Sequence, residues 1–322
     1  MDTFTIEPRG RFSLEEAALF GFGQRNESTY DGTMRLAFCL DGYERQAGVS
    51  LTQAADGVVH GTISGISGIS GRRTSATSAI SATSAISATS EDRATVVAQV
   101  ARVLSIDHDA TGYEAVGDRD PIIARLLEAA PGLRPPLFYS PYEGALWSVL
   151  SMRRPRQTAE RWRARLSEAA GARFDVAGRE QWAVPTPVRI IELGVDGVAT
   201  AAGIEPARAQ RVVGVAEAAE ARTLDATTLA GMGEDRARAE LQTIPGIGPF
   251  YADLVVVRAS GVTDVLPLNE PRLFALVGEL YGLSGPVTPK EAERVAEAWR
   301  PWRTWIAVLI RSAGPRVLGQ AP

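Results

Sequence analysis

Two glycines separate two apolar helical stretches in residues 241–256, in the order Leu-x-x-Ile-x-Gly-Ile-Gly. Gly246 and Gly248 allow backbone dihedrals that are closed to other residues, and they let a phosphate approach without a Cβ in the way. The second helix then begins with free N–H groups and the positive end of its dipole at the same gap. An ordinary helical hairpin with a glycine cap is the alternative. The full spacing, with Ala252 four residues after the second glycine, favours a hairpin that binds the phosphate backbone of a nucleic acid.

A carboxylate downstream of the hairpin precedes the proline that begins the next helix. Glu270 stands directly before Pro271, where a carboxylate acts as an N-cap. Capping the helix is the structural role of Glu270. Its spacing from the hairpin is the reason to consider a catalytic role as well. Amine chemistry is restricted, because Lys290 is the only lysine among 34 basic residues, so a Schiff base would have to use Lys290 or the N-terminal amine. His60 and His108 lie in the N-terminal half and are expected at the surface.

The composition is that of a globular chain of two or three domains. The chain has 322 residues, 45% of them hydrophobic, and no apolar run long enough for a membrane span. Its first residues carry no basic region followed by an apolar stretch, which argues against a secretory signal. Cys39 is the only cysteine, so an intrachain disulfide and a four-cysteine metal or iron–sulfur site are excluded. We therefore expect a soluble, cytoplasmic protein without a structural metal.

The overall charge is acidic, but the basic residues are unevenly distributed. A net charge of −4 and a pI of about 5.5 count against a dedicated nucleic-acid module, because such modules are often basic. A local positive face remains compatible with these values. One short stretch supplies candidates for such a face: Arg153, Arg154, Arg156, Arg161, Arg163 and Arg165.

Residues 1–116 predict an α+β domain with an antiparallel sheet. Ser13 begins a capping box for a short helix that runs to Phe22. Alternation and Asp-Gly turns predict strands over residues 3–7, 33–40, 46–51 and 58–64. Residues 65–90 repeat Ser, Ala, Thr, Gly and Ile, a low-complexity insert that favours a disordered surface loop, with an ordered solenoid as the alternative. A helix capped at residues 90–92 is expected to run to about Leu104.

Residues 117–322 predict an all-α domain. Asp120-Pro121, Ser140-Pro141 and Thr186-Pro187 each place an N-cap residue before a proline that begins a helix. Amphipathic patterns predict further helices over residues 156–169, 206–221, 235–242, 250–260, 271–281, 289–299 and 302–312. Two architectures in sequence place a domain boundary near residues 112–120.

Several segments resemble a known group of enzymes. Residues 244–256 and 264–273 resemble the helix-hairpin-helix, Gly/Pro-rich loop and acid signature of base-excision DNA glycosylases. Further segments are similar to the bacterial 3-methyladenine DNA glycosylase II (AlkA-like) family: residues 120–122, 131–134, 182–187 and 299–305. The resemblance implies a monomer without cofactor that hydrolyses the N-glycosidic bond of alkylated purines in double-stranded DNA, at the bacterial nucleoid and away from membranes.

The catalytic residue of that family is an aspartate, and the resemblance assigns its place to Glu270. A misplaced carboxylate costs on the order of 100-fold in rate, so two interpretations remain open: catalysis by Glu270, or a protein that binds damaged DNA without cutting it. Asp264 is the fallback acid. Phe250 falls where lyase-active relatives carry their Schiff-base lysine, which implies monofunctional hydrolysis. Excision of oxidised or mismatched bases is a third, weaker alternative.

The resemblance also implies which residues contact the DNA and the extruded base. The DNA-binding candidates are Thr243, Ile244, Gly246, Ile247, Gly248, Met152 and Arg153. Met152 or Arg153 would fill the gap that the extruded base leaves in the DNA. The alternative is that this segment is only a solvated helix start. An alkylated purine is positively charged, so aromatic faces would hold it, and an ionised carboxylate would stabilise the oxocarbenium-like sugar. The pocket candidates are Phe250, Leu254, Trp147, Tyr142, Phe20 and Trp302, and for the last four core packing is the alternative.

Overall fold

The computed structural model describes residues 2–20, 29–67 and 88–320. Within these ranges the N-terminal part forms an antiparallel sheet in the order β1-β4-β3-β2. Its strands are β1 (Asp2–Ile6), β2 (Met34–Cys39), β3 (Gln46–Gln53) and β4 (Val59–Ser67). The helices α1 (Leu14–Leu19) and α2 (Ser90–Val103) share one apolar core with this sheet. The turns use glycine in the left-handed region, at Gly42 (φ +93°) and Gly57 (φ +91°), as the Asp-Gly pairs predict.

The rest of the chain is mainly helical. The helices are α3 (Val116–Arg119), α4 (Pro121–Ala129), α5 (Pro141–Ser151), α6 (Arg156–Ala170), α7 (Pro187–Ala202), α8 (Pro206–Glu220), α9 (Ala226–Gly231), α10 (Glu234–Leu241), α11 (Pro249–Ala259), α12 (Pro271–Tyr281), α13 (Pro289–Ala296) and α14 (Arg303–Val317). Asp120, Ser140 and Thr186 accept backbone N–H bonds at the starts of α4, α5 and α7, so these predicted caps are confirmed. The α+β fold class is confirmed as well.

A two-stranded hairpin interrupts the helical part and was not predicted. Its strands β5 (Arg173–Val176) and β6 (Arg179–Trp182) pack against the N-terminal sheet. A Cβ at Gly48 would lie 2.7 Å from the Phe174 side chain, so the glycine lets the two sheets approach closely. The prediction that the chain is almost wholly helical after Asp120 is therefore wrong at this hairpin, and the contacts tie the helical part to the sheet.

Two apolar cores lie within the helical part. One surrounds α5, α7, α8 and α11. The other joins α4, α12 and α14 through the fully buried Trp299 and Trp305. A large cleft is lined by α11 from the first core and by α12 and α14 from the second. The two cores therefore form opposite walls of the same cavity.

Some predictions fall partly or wholly outside the described residues. Phe22, the predicted end of α1, and residues 68–87 of the low-complexity insert are outside them. Gly65 belongs to β4, and Thr89 caps α2, so the insert is shorter at both ends than predicted. In the described ranges no helix has the length and apolarity to cross a membrane, and no group of three or more His, Cys, Asp or Glu side chains is placed to hold a metal ion.

Candidate active site

The cleft between α11 and the pair α12 and α14 has a volume of about 960 Å³. Its wall carries five arginines, Arg156, Arg258, Arg272, Arg311 and Arg316, and three acids, Asp253, Glu270 and Glu279. Basic groups therefore outnumber acidic ones here, although the chain as a whole has a net charge of −4. A cleft with this excess of positive charge can bind a polyanion.

The predicted hairpin consists of α10, a turn and α11. Gly246 has φ +99°, a conformation that favours glycine, and the place of its missing Cβ lies 3.0 Å from Cδ of the Arg211 side chain. Gly248 is extended, with φ −88°, and the position of its missing Cβ is open space. Ile244 and Ile247 are buried, so their side chains hold the turn against the core, while Pro245 and Gly248 are exposed. Thr243 is exposed, and its Oγ1 donates to Glu240 O.

Glu270 lines the cleft at the start of α12. Its Oε1 accepts the backbone N–H of Arg272 at 3.2 Å, so the predicted capping role is present. Arg311 Nε lies 4.0 Å from the same oxygen, and the Glu270 side chain is 23% exposed. Oε2 has no hydrogen-bond partner in the described part of the chain. The cap thus uses one carboxylate oxygen and leaves the other available.

Arg311 is the cation nearest to this acid. Burial lowers the pKa of the Arg311 guanidinium, the charge of Glu270 raises it, and the charge of Arg272 lowers it. Arginine keeps its proton under these influences. The pair therefore places a positive charge beside the carboxylate, on the wall of the cleft.

The fallback acid Asp264 occupies a different environment. Its carboxylate accepts from Arg303 Nε at 2.7 Å and from Arg300 Nη1 at 2.8 Å, and it does not line the cleft. Its backbone carbonyl accepts from Arg303 as well. These bonds attach the loop between α11 and α12 to the N-terminus of α14. Because its oxygens are occupied by the two arginines, Asp264 is unsuited to meet a substrate.

Asp253, on α11, is a site residue that sequence reasoning missed. It lines the cleft but is only 2% exposed, and its two oxygens accept from Arg238 Nε and, at 2.6 Å, from Asn269 Nδ2. A signal was present in the sequence, because Asp253 is the one charged residue between Pro249 and Val257 in an otherwise apolar helix.

The structure brings three of the six pocket candidates to the cleft. Phe250, Leu254 and Phe20 line it. Phe250 is 40% exposed and meets Tyr251 edge to face, with ring centroids 5.1 Å apart. The guanidinium carbon of Arg258 lies 4.9 Å from the centroid of the Phe20 ring.

The other three candidates are not at the cleft. Tyr142 is fully buried, and its hydroxyl donates to Pro185 O at 2.9 Å. Trp147 lies in the core around α5, and Trp302 packs against Trp305 in the other core. α5 is buried along nearly its whole length, so its aromatic side chains fill the interior.

Met152 and Arg153 line a second, smaller cavity of about 450 Å³, together with Arg154, Arg208 and Arg211. This cavity adjoins the hairpin, since the same Arg211 side chain lies against Gly246. Arg153 has φ +54°, an uncommon left-handed conformation for a residue with a side chain. Arg153 and Arg211 have no ion-pair partner among the residues that the structure describes. The predicted wedge and the hairpin are thus neighbours.

Comparison with known proteins gives relatives in sequence and in fold. No family model matches the chain. It is 28% identical over 219 residues to the probable bifunctional transcriptional activator/DNA repair enzyme AlkA of Mycobacterium tuberculosis, covering 66% of this chain and 42% of that protein. It is 30% identical over 183 residues to DNA-3-methyladenine glycosylase 2 of Escherichia coli, covering 57% of this chain and 61% of that protein. The chain therefore spans less than two thirds of each of these two curated relatives.

A solved structure matches over nearly the whole chain. The 3-methyladenine DNA-glycosylase from Archaeoglobus fulgidus superposes with a TM-score of 0.76 at 19% identity, covering 99% of this chain and 100% of that one. At this level of identity the match shows a shared fold. The fold includes both the N-terminal sheet and the helical part that holds the cleft.

Proposed function

We propose that the chain is a helix-hairpin-helix DNA glycosylase of the AlkA-like family, and that it hydrolyses the N-glycosidic bond of alkylated purines in DNA during base excision repair. The observation that carries this proposal is a carboxylate, Glu270, with one oxygen free of hydrogen bonds to the described residues, in a basic cleft beside the second hairpin helix. Because the substrate is chromosomal DNA, we propose that the protein acts in the cytoplasm. We also propose that it acts as a monomer, because one chain carries both the hairpin and Glu270.

DNA binding would use the hairpin and the neighbouring basic cavity. The backbone N–H groups around Gly246 and Gly248 can bind phosphate oxygens, and no atom lies within 4 Å of the place that a Cβ of Gly248 would occupy. Arg153 and Arg211, which lack counter-charges in the described residues, would contact the same strand or its partner. Rotating one nucleotide out of the stack costs a few kcal/mol, and Met152 or Arg153 would fill the gap that it leaves.

The chemistry would use Glu270 at the sugar. The extruded base would lie against the exposed face of Phe250, where a cation and an aromatic ring attract each other. Departure of the base leaves an oxocarbenium-like sugar, and an ionised carboxylate stabilises that cation and orients or deprotonates the attacking water. Oε2 of Glu270 is available for this role while Oε1 continues to cap α12. A cationic base leaves without a general acid.

Lyase activity is not expected. Lys290 lies on α13 and does not line the cleft, so no lysine amine is placed to attack the sugar. The product would be an intact abasic strand.

A base-release assay tests the proposal. Wild-type protein should release methylated purines from alkylated duplex DNA and leave abasic sites uncut. Glu270→Gln should lower single-turnover release by about 100-fold or more, because the carboxylate charge is lost, while the affinity for DNA is kept. Glu297→Gln, the same change at an exposed residue outside the cleft, is the control. Release by Glu270→Gln at the wild-type rate would contradict the assignment.

A non-catalytic damage-binding protein is the second candidate. The observation that favours it is the Arg311 guanidinium 4.0 Å from Glu270 Oε1, because this positive charge offsets the carboxylate charge that would stabilise the sugar cation. This candidate predicts selective binding to alkylated DNA and no base release by the wild-type protein.

A further inference from the structure

A buried carboxylate links the hairpin to the loop that carries Glu270. Asp253 is 2% exposed, and a buried charge of this kind is costly unless its oxygens are hydrogen-bonded and paired. Both oxygens are satisfied: Oδ1 accepts from Arg238 Nε, and Oδ2 accepts from Asn269 Nδ2 at 2.6 Å. The three side chains form a bridge, which we call the Arg238–Asp253–Asn269 bridge.

The bridge joins three separate segments. Arg238 lies on α10 and Asp253 on α11, so the first bond ties together the two helices of the hairpin. Asn269 directly precedes Glu270, so the second bond ties the hairpin to the acid. Burial by itself lowers the pKa of Arg238, whereas the hydrogen bond and charge of Asp253 raise it, and the net direction is upward. The guanidinium therefore stays charged and keeps Asp253 compensated.

The middle of the same loop is fixed independently. Val265 N donates to Thr304 Oγ1 at 2.8 Å, which attaches the loop to α14. Between Val265 and the start of α12, the Asn269 side chain donates a hydrogen bond to Asp253 and so joins the loop to the hairpin. Loss of this bond would free the segment in front of Glu270.

We propose that Asn269 is a positioning residue for the glycosylase reaction, and that the Arg238–Asp253–Asn269 bridge sets the Glu270 carboxylate relative to the DNA bound at the hairpin. This inference rests on the proposed function. Misplacement of a reacting group by about 1 Å costs on the order of 100-fold in rate, so a hydrogen bond that holds the neighbouring residue controls the rate without touching the substrate.

Asn269→Ala tests the bridge with two readouts. Single-turnover base release should fall by about 10–100-fold, while the dissociation constant for alkylated duplex DNA changes by less than about 2-fold. Hydrogen exchange of the amides in residues 264–273, measured by mass spectrometry on the free protein, should become faster. Asp235→Asn is the matched control, because it removes another carboxylate partner of Arg238, one that is 97% exposed, and leaves the bridge intact.

A charge exchange across the bridge supplies a rescue. Asn269→Asp places two carboxylates at a 2.6 Å contact and should slow release at least as much as Asn269→Ala. Adding Asp253→Asn to this variant reverses the hydrogen bond, so that position 253 donates and position 269 accepts. The double variant should recover part of the rate of base release. Partial recovery would not follow from a general loss of folding.

The outcomes separate this inference from the function on which it rests. If the wild type releases no base, the proposed function fails, and faster loop exchange in Asn269→Ala still supports positioning of the loop. If the wild type is active and Asn269→Ala keeps its rate, the bridge has no positioning role. Unchanged exchange in residues 264–273 would also overturn the inference.

Discussion

Residues 264–270, in the loop between α11 and α12, begin and end with an acid, and the two acids have different surroundings. The Asp264 carboxylate accepts four hydrogen bonds from Arg300 and Arg303, two of them at 2.7 and 2.8 Å and two at 3.3 Å, and Thr304 holds the adjacent Val265. Glu270 accepts a single backbone N–H and lies 4.0 Å from Arg311. Their exposures are similar, 27% and 23% of the side chain. Exposure alone therefore does not distinguish them.

The difference is in unused hydrogen-bonding capacity. A carboxylate whose oxygens are occupied by guanidinium groups stabilises the loop, but it has no lone pair to offer to a water molecule. A carboxylate with a free oxygen contributes less to stability and can orient or deprotonate water. In the segment 264–270, the Asp264 end is therefore an anchor, and the Glu270 end is the working end with a carboxylate oxygen free to act. Substitutions at the two ends should accordingly change different observables.

Shortening the acid at the working end should have the largest effect. Glu270→Asp keeps the charge but withdraws the carboxylate by one methylene, and we expect single-turnover base release to fall by about 10–100-fold. Stability should be unchanged, because aspartate is at least as good an N-cap as glutamate for α12. Rates at saturating protein and a urea melt measure the two quantities.

The opposite outcome for Glu270→Asp would also be informative. A gain in release over the wild type would mean that the loop places the acid for aspartate, and that the natural chain is the non-catalytic binder. Asp253→Glu is not a suitable control, because it disturbs the bridge; Glu297→Asp, at an exposed position on another segment, is suitable.

At the anchored end, Thr304→Val should reduce stability and leave the rate nearly unchanged. Thr304 is buried, and its Oγ1 accepts from Val265 N at 2.8 Å and donates to Val265 O at 2.9 Å. Valine has the same shape and leaves both groups unsatisfied, which costs about 1–3 kcal/mol in the free energy of unfolding. Urea denaturation measures the loss, with Thr95→Val on the exposed face of α2 as control. A drop in base release beyond about 3-fold would show that the anchor also positions Glu270.

Much of the fold could be predicted because its signals are local. Asp120-Pro121 and Ser140-Pro141 mark helix starts within two residues, and both were placed correctly. The hairpin of β5 and β6 was missed because its strands are short and are stabilised by packing on the N-terminal sheet. The close approach of Phe174 to Gly48 joins residues far apart in sequence, so no pattern near either residue reveals it.

The candidate site was predictable in part for the same reason. Glu270 and the glycine turn each lie in a short sequence pattern, whereas the pocket depends on which face of each helix points inward. α5 is buried on nearly every side, so its aromatic residues carried no information about a cleft. Asp253 and Asn269 are separated by a helix end and a loop, and their hydrogen bond appears only after the chain has folded.

The smallest effect is expected for the acid of the anchored end itself. Asp264→Asn removes the charge that faces Arg300 and Arg303 but keeps one acceptor oxygen, so part of the hydrogen bonding survives. Because Asp264 is 27% exposed, solvent screens the lost attraction, and we expect the free energy of unfolding to fall by about 0.5–1 kcal/mol, with base release unchanged. The difference from wild type should shrink in 1 M salt, where exposed charges are screened within about 3 Å. Asp118→Asn, an exposed acid on α3, is the control, and a loss of base release in Asp264→Asn would return this acid to consideration as the catalytic group.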